Sequence, residues 1–145
     1  MKLVVQRVKN ASVTVEKKVL SSISKGFLIL TGITGPDTKS EADFLAEKLV
    51  KLRIMSDSEG KMNLSLKDAG GELLIVSQFT LYSDTTSGNR PSFLNAARPE
   101  VDEPLYEYFV EKVKSFGIPV ATGKFGADMK IDAELDGPVT ILIEA

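Results

Sequence analysis

Ser77-Gln78-Phe79-Thr80 places two hydroxyls and a side-chain amide directly after Leu73-Leu74-Ile75-Val76, a run that must be buried. Polar groups that follow a core strand have to be hydrogen-bonded, face a cleft or reach solvent. Two readings of the segment stand. In one it is a strand end whose alternate residues point to water. In the other it is a hydroxyl-and-amide cluster that grips a polar ligand. Thr80 is then a candidate nucleophile, but activation needs a nearby base and the sequence identifies none. Backbone amides are the better candidate, because they stabilise an oxyanion without any titratable group.

Three further segments carry chemistry-bearing residues. Asp136-Gly137-Pro138-Val139-Thr140 reads on pattern alone as a hairpin turn, since Asp-Gly and Gly-Pro are turn dipeptides. Its functional reading is a cis X-Pro bond, which would aim two successive carbonyls where a trans bond cannot. Arg90, in Gly88-Asn89-Arg90-Pro91-Ser92-Phe93, either binds a phosphate or carboxylate or pins its loop, and Lys61-Met62-Asn63 reads as a solvated turn. Gly123 to Met129 alternates small and large residues. Phe125 and Met129 there are either core or the walls of a slot for a flat base.

What is missing narrows the chemistry. The chain has no histidine and no cysteine. The usual general base, the Ser-His-Asp relay and thiol chemistry are thereby removed, and a structural zinc site is not expected. No cofactor and no metal site is expected. A net charge of -2 provides no global basic field for nucleic acid, although a local patch would suffice to hold one terminal nucleotide. Lys2 and Arg7 interrupt the first apolar residues too early for a signal peptide, and no apolar run reaches membrane-spanning length. The expected location is the cytoplasm.

The elements that must position these residues follow from periodicity. Residues 2 to 9 read as a strand, as does the alternating run 11 to 16, with a third strand at 19 to 23. Gly26 opens a buried strand, Phe27 to Leu30. Thr38 and Glu41 form a capping box before Ala42, Leu45, Leu49 and Leu52, with Phe44 and Val50 widening the apolar stripe. A strand is expected at 53 to 55, a turn at 56 to 60, irregular chain or a short helix at 63 to 66 and a central strand at 72 to 81. Residues 83 to 100 form a long ordered loop, of a length that is usually functional. A second helix starts at Asp102-Glu103-Pro104 and ends at Gly117. Two strands, 127 to 134 and 139 to 143, close the chain. One α+β domain over residues 1–145 is expected, dominated by antiparallel hairpins with two helices on sheet faces.

Taken together, Gln6-Arg7-Val8, Gly60-Lys61-Met62-Asn63, Ser77 to Leu81, Arg90 to Phe93, Gly123 to Met129 and Gly137-Pro138-Val139-Thr140 resemble the D-aminoacyl-tRNA deacylase family from end to end. Leu135 departs from the family's usual asparagine. The resemblance implies a compact β-rich domain of mainly antiparallel strands in barrel-like sheets, with two covering helices, acting as a homodimer. It implies hydrolysis of D-aminoacyl-tRNA, and of glycine mischarged on tRNA, at the 3′-terminal aminoacyl-adenosine, with no membrane and no DNA partner. Ser77, Gln78, Phe79 and Thr80 would be catalytic. Gly137 and Pro138, in cis and from the partner subunit, would exclude L-residues sterically, with Arg7 fixing that element and Met129 contacting substrate.

An aminoacyl ester is already activated, so positioning, an oxyanion site and a water suffice. The expected mechanism uses the terminal ribose 2′-hydroxyl and the amides near Phe79 and Thr80; its rival makes Thr80 the nucleophile. Two other classes remain to be separated from this one: a non-catalytic binding module for aminoacyl-tRNA or nucleotide, and a general hydrolase of small esters.

Overall fold

A computed structural model describes all 145 residues. Its first strand, β1 (Lys2–Val15), runs without interruption where two strands were expected. Val8 lies opposite Leu135 and Asn10 opposite Glu134, so Lys9 is an extra residue on β1. This bulge shifts the alternation from Leu3 and Val5 to Val8, Ala11 and Val13 without ending the ladder. β2 (Lys18–Ile23) folds back on the second half of β1, and β3 (Gly26–Gly32) pairs with the first half. Both pairings are antiparallel.

The capping box of Thr38 and Glu41 is present and opens α1 (Lys39–Lys51), which buries Ala42, Leu45, Ala46 and Leu49. Phe44, expected on the apolar stripe, is exposed. The chain then forms a small hairpin, β4 (Met55–Ser56), which overlaps the expected strand, and β5 (Met62–Leu64), which replaces the irregular chain or short helix expected from residue 63. β6 (Glu72–Ser77) lies parallel to β3. The second helix, α2 (Pro99–Lys114), starts a turn earlier than expected and holds Pro104 inside. Pro99 occupies its first position, where a preset φ and a missing N–H cost nothing. β7 (Val120–Thr122), not expected from sequence, pairs parallel with β6.

The final correction is the largest. Residues 130 to 144 form one strand, β8 (Lys130–Glu144), antiparallel to β1 over almost its whole length. Asp136-Gly137-Pro138 does not turn the chain; it interrupts a strand that continues in the same direction.

The sheet runs β2-β1-β3-β6-β7, with β8 also on β1. Its two ends meet where Ser21 Oγ donates to the Thr122 carbonyl at 2.7 Å, so the sheet is nearly closed and barrel-like. Alternation divides the core accordingly. Leu3, Val5, Phe27, Ile29, Leu73 and Ile75 pack under the two helices. Val8, Val13, Leu28, Leu74 and Val76 fill the barrel. The architecture is α+β, mainly antiparallel, with two helices on one face. No helix is long and apolar enough to cross a membrane.

Candidate active site

β6 ends at Ser77, not at Leu81 as expected: the Gln78 N–H makes the last bond to β3, to the Thr31 carbonyl at 2.7 Å, and the chain then turns. A 3₁₀ turn, Phe79–Tyr82, follows. Leu81 donates to the Gln78 carbonyl at 3.2 Å and Ser83 to the Thr80 carbonyl at 3.1 Å, while the N–H groups of Phe79 and Thr80 find no acceptor in the chain. Opening a helical turn leaves such donors free by geometry. Gly32 lets this turn lie on β3: a Cβ there would stand 2.9 Å from that of Leu81. Thr80 Oγ1 accepts a hydrogen bond from Gln78 Nε2, and no basic group touches the hydroxyl.

Two cavities open on either side of Ser77 and Phe79. One of about 290 Å³ is walled by Val76, Gln78, Ala127, Met129 and Ile131. Met129 is held inward by its thioether, which accepts the Lys124 N–H at 3.4 Å. The other, about 510 Å³, lies under the start of α2 and is walled by Phe93, Ala97, Asp102 and Phe125. Phe93 meets Phe79 edge-on, centroids 5.2 Å apart. The loop carrying Phe93 is pinned by paired 2.8 Å bonds between the main chains of Asp84 and Ser92. Arg90, at the tip of that loop, is exposed. A third cavity, walled by Phe44, Lys48 and Lys51 on α1 and by Arg53 beyond its end, touches neither segment.

The Gly137-Pro138 bond is cis. Gln6 lies opposite Thr140 and Val8 opposite Leu135, so the four residues Asp136 to Val139 face the single residue Arg7. The Arg7 side chain supplies there what the ladder cannot. Buried in the sheet, it donates from Nε to the Asp136 carbonyl at 3.1 Å, and from Nη1 to the Ile54 carbonyl at 2.8 Å and Ser56 Oγ at 3.3 Å. Nε also lies 3.1 Å from Asp136 Oδ2. Gly137 has a φ of 128°, open to glycine and strained for other residues. Gly137 and Pro138 themselves are exposed.

The structure thus brings Ser77, Gln78, Phe79 and Met129 to one cavity, with Thr80 beside it, and joins Arg7 to Gly137-Pro138 elsewhere. Arg7 is level with Leu73, four residues from Ser77, and β8 is three strand spacings from β6. Strand rise and spacing put the two groups on the order of 20 Å apart.

Residues 4–144 match the family described as D-Tyr-tRNA(Tyr) deacylase. The chain belongs to this family. Deacylase relatives match it along its length: "D-aminoacyl-tRNA deacylase" of Lacticaseibacillus casei is 53% identical over 144 residues, covering 99% of this chain and 97% of the relative. The protein of the same name from Thermosipho melanesiensis is 53% identical over 146 residues, covering 100% and 97%. A solved structure named "c-Myc DNA Unwinding Element Binding Protein" has a TM-score of 0.95 at 41% identity, covering 100% and 99%. A probable eukaryotic D-amino acid tRNA deacylase shares the fold, TM-score 0.85 at 18% identity, covering 99% and 98%.

One residue of this deacylase-family chain escaped the sequence reading. Asp102, which the sequence marks only as the expected start of a helix, is 5% exposed and lines the larger cavity. Burial, with the charges of Asp37 and Glu103 added, raises its carboxyl to about 6. The signal was in the spacing: Asp102 falls on the stripe of Tyr106, Phe109 and Val113, all buried.

Proposed function

We propose that this chain hydrolyses the ester bond of D-aminoacyl-tRNA, releasing the free D-amino acid and tRNA, in the compartment where tRNA is charged. The match to the deacylase family over residues 4–144 carries this reading. The site supports it chemically. Two adjacent free amides, that of Phe79 in the wall of a cavity at the end of β6 and that of Thr80 next to it in the chain, suit a developing oxyanion. Water adds to the ester carbonyl, the acyl–oxygen bond breaks, and the ribose oxygen leaves with a proton. The 2′-hydroxyl of the terminal ribose assists, and Thr80 is not the nucleophile, because its hydroxyl is engaged only by Gln78.

Chirality is judged by Gly137-Pro138 of a second copy. This element is exposed, held by Arg7 and on the order of 20 Å from Ser77 in its own chain, so it can act on Ser77 to Thr80 only in trans. Exposed Leu135 and Leu142 on β8 favour burial of that strand between copies. Exclusion by main chain ignores the substrate side chain, so a broad range of D-residues is accepted, and glycine with them.

The test is to incubate the protein with D-Tyr-tRNA, L-Tyr-tRNA, Gly-tRNA and a D-tyrosine alkyl ester, and to measure the oligomeric state by sedimentation. Release from the first and third alone, by a dimer, is expected. Equal cleavage of the alkyl ester would instead mean a general hydrolase, and binding without release a non-catalytic module. Thr80→Val should keep most of the rate, whereas a terminal 2′-deoxyadenosine should abolish most of it. The reverse pattern would make Thr80 the nucleophile.

A further inference from the structure

Asp102 is the one buried carboxyl whose Oδ1 has no hydrogen-bond partner, and it stands in the wall of a cavity. Its position follows from how α2 docks. Tyr106 donates its hydroxyl to the Ile75 carbonyl at 2.8 Å, which fixes that turn over β6. Asp102 is four residues earlier, one turn along the same helix face. Ser77 is two residues beyond Ile75, and it shares the cavity with Asp102. Phe79, Phe93 and Phe125 give the wall three aromatic rings, and Arg98 is its only other charged residue. A buried carboxyl without a partner is destabilising unless a ligand supplies the donor.

We propose that Asp102 reads the hydrogen-bonding edge of the terminal base of the bound RNA, accepting from its exocyclic amino group while the base lies among the three phenylalanine rings. This rests on the reading of the site as one for aminoacyl-tRNA and adds a specificity-determining residue to it. The alternative donor, the α-amino group of the aminoacyl moiety, has no use for a cavity of about 510 Å³ with aromatic walls; a flat heterocycle does. Adenine presents an amino group beside a ring nitrogen that accepts. A neutral carboxylic acid pairs with both, donating to the ring nitrogen and accepting from the amine; a carboxylate satisfies only the amine. The charged and titratable groups around Asp102 are Asp37 before α1, Glu103 and Tyr106 on α2, and Arg98 in the cavity wall. Asp37 is ion-paired with the Met1 amino group at 2.6 Å.

The experiment uses acylated and unacylated minihelices ending in adenosine or in purine riboside, which lacks the amino group. KM and kcat are measured for the D-acylated pair, and binding by fluorescence polarisation for the uncharged pair. Removing the amino group should raise KM and weaken binding by about tenfold in the parent, within the range for a paired base edge. Asp102→Ala should bind the two ends alike. Asp102→Asn, which also donates and accepts, should keep the preference. The parent should bind the adenosine end less tightly at pH 8 than at pH 6, and Asp102→Asn should not change between them. Equal binding of the two ends by the parent, or a preference retained in Asp102→Ala, overturns the proposal. So does a KM that rises on N-acetylation of the aminoacyl group in the parent but not in Asp102→Ala, since Asp102 would then read the α-amine. Absence of hydrolysis with the binding preference intact would instead sink the deacylase reading and leave Asp102 standing.

Discussion

Gly137-Pro138 and the turn at Phe79 are opposites in how their polar groups are satisfied. Around Gly137, Arg7 bonds the protein through Nε and Nη1: it ties the Asp136 carbonyl to Ile54 and Ser56 at the start of the small hairpin. The element it fixes is exposed and complete. Around Phe79, the amides of Phe79 and Thr80 are unclaimed and the carboxyl of Asp102 has an unpartnered oxygen, with Phe79 and Asp102 both in the wall of one cavity. An exposed element held by the protein's own side chain is built to be presented; a concave one with free donors and acceptors is built to receive. Neither suffices alone, which is why the reading places them on different copies.

The contrast can be broken most sharply at the receiving end. Phe79→Pro deletes one amide donor at the first position of the 3₁₀ turn, where proline's φ fits. Loss of an oxyanion donor should lower kcat by about 100- to 1000-fold. Phe79→Ala, which keeps the N–H, separates this from loss of the ring. If both variants lose rate equally, the amide is not the oxyanion donor.

At the presenting end, Gly137→Ala introduces a Cβ 2.8 Å from Val139 Cγ2 and 3.4 Å from Arg7 Nη2, at a φ hostile to alanine. Arg7→Ala removes the tether itself. Either change should shift the element by enough to cost about 100-fold in rate, as displacements near 1 Å do. Arg7→Ala should also lower Tm, because it strips the Ile54 carbonyl of its donor. The two ends are then combined. Subunits of Phe79→Pro and Gly137→Ala, unfolded and refolded together, should regain about a quarter of parental activity, since half the dimers are mixed and each holds one intact site. No recovery would mean that the element acts within its own chain.

The sequence showed the receiving end better than the presenting one. Ser77 to Thr80 stood out because polar residues follow a core run, and the capping box at Thr38 and Glu41 was legible because it is local chemistry. The continuity of β1 and β8 was hidden. In β1 the bulge at Lys9 changes which residues face inward, so one strand imitates two. In β8, Asp-Gly-Pro carries turn chemistry, and only the long-range pairing with β1 and the tether from Arg7 keep the strand going. β7 is three residues long and parallel, too short for alternation to register. Asp102 did not stand out because acids in a first turn are ordinarily solvated and favoured there by the helix dipole; only its place on a buried stripe says otherwise.

The smallest effect sharpens the contrast in the free protein, without substrate. The Asp102 carboxyl is raised to about 6, principally by burial. In the unfolded chain it titrates near 3.9. Between those values the folded state holds a proton that the unfolded state has released, so stability falls as pH rises through that window and the full penalty persists above about 6. Asp102→Asn abolishes this titration while retaining a polar side chain of the same shape. Its Tm should therefore exceed the parent's at pH 8 by about 3 °C for about 1 kcal/mol, and the excess should shrink towards pH 4. A polar gap that asparagine leaves equally unfilled would contribute at both pH values and cancel in the comparison. An offset that stays constant from pH 4 to pH 8 would show that Asp102 is already solvated or paired, and the receiving end would lose its defining feature.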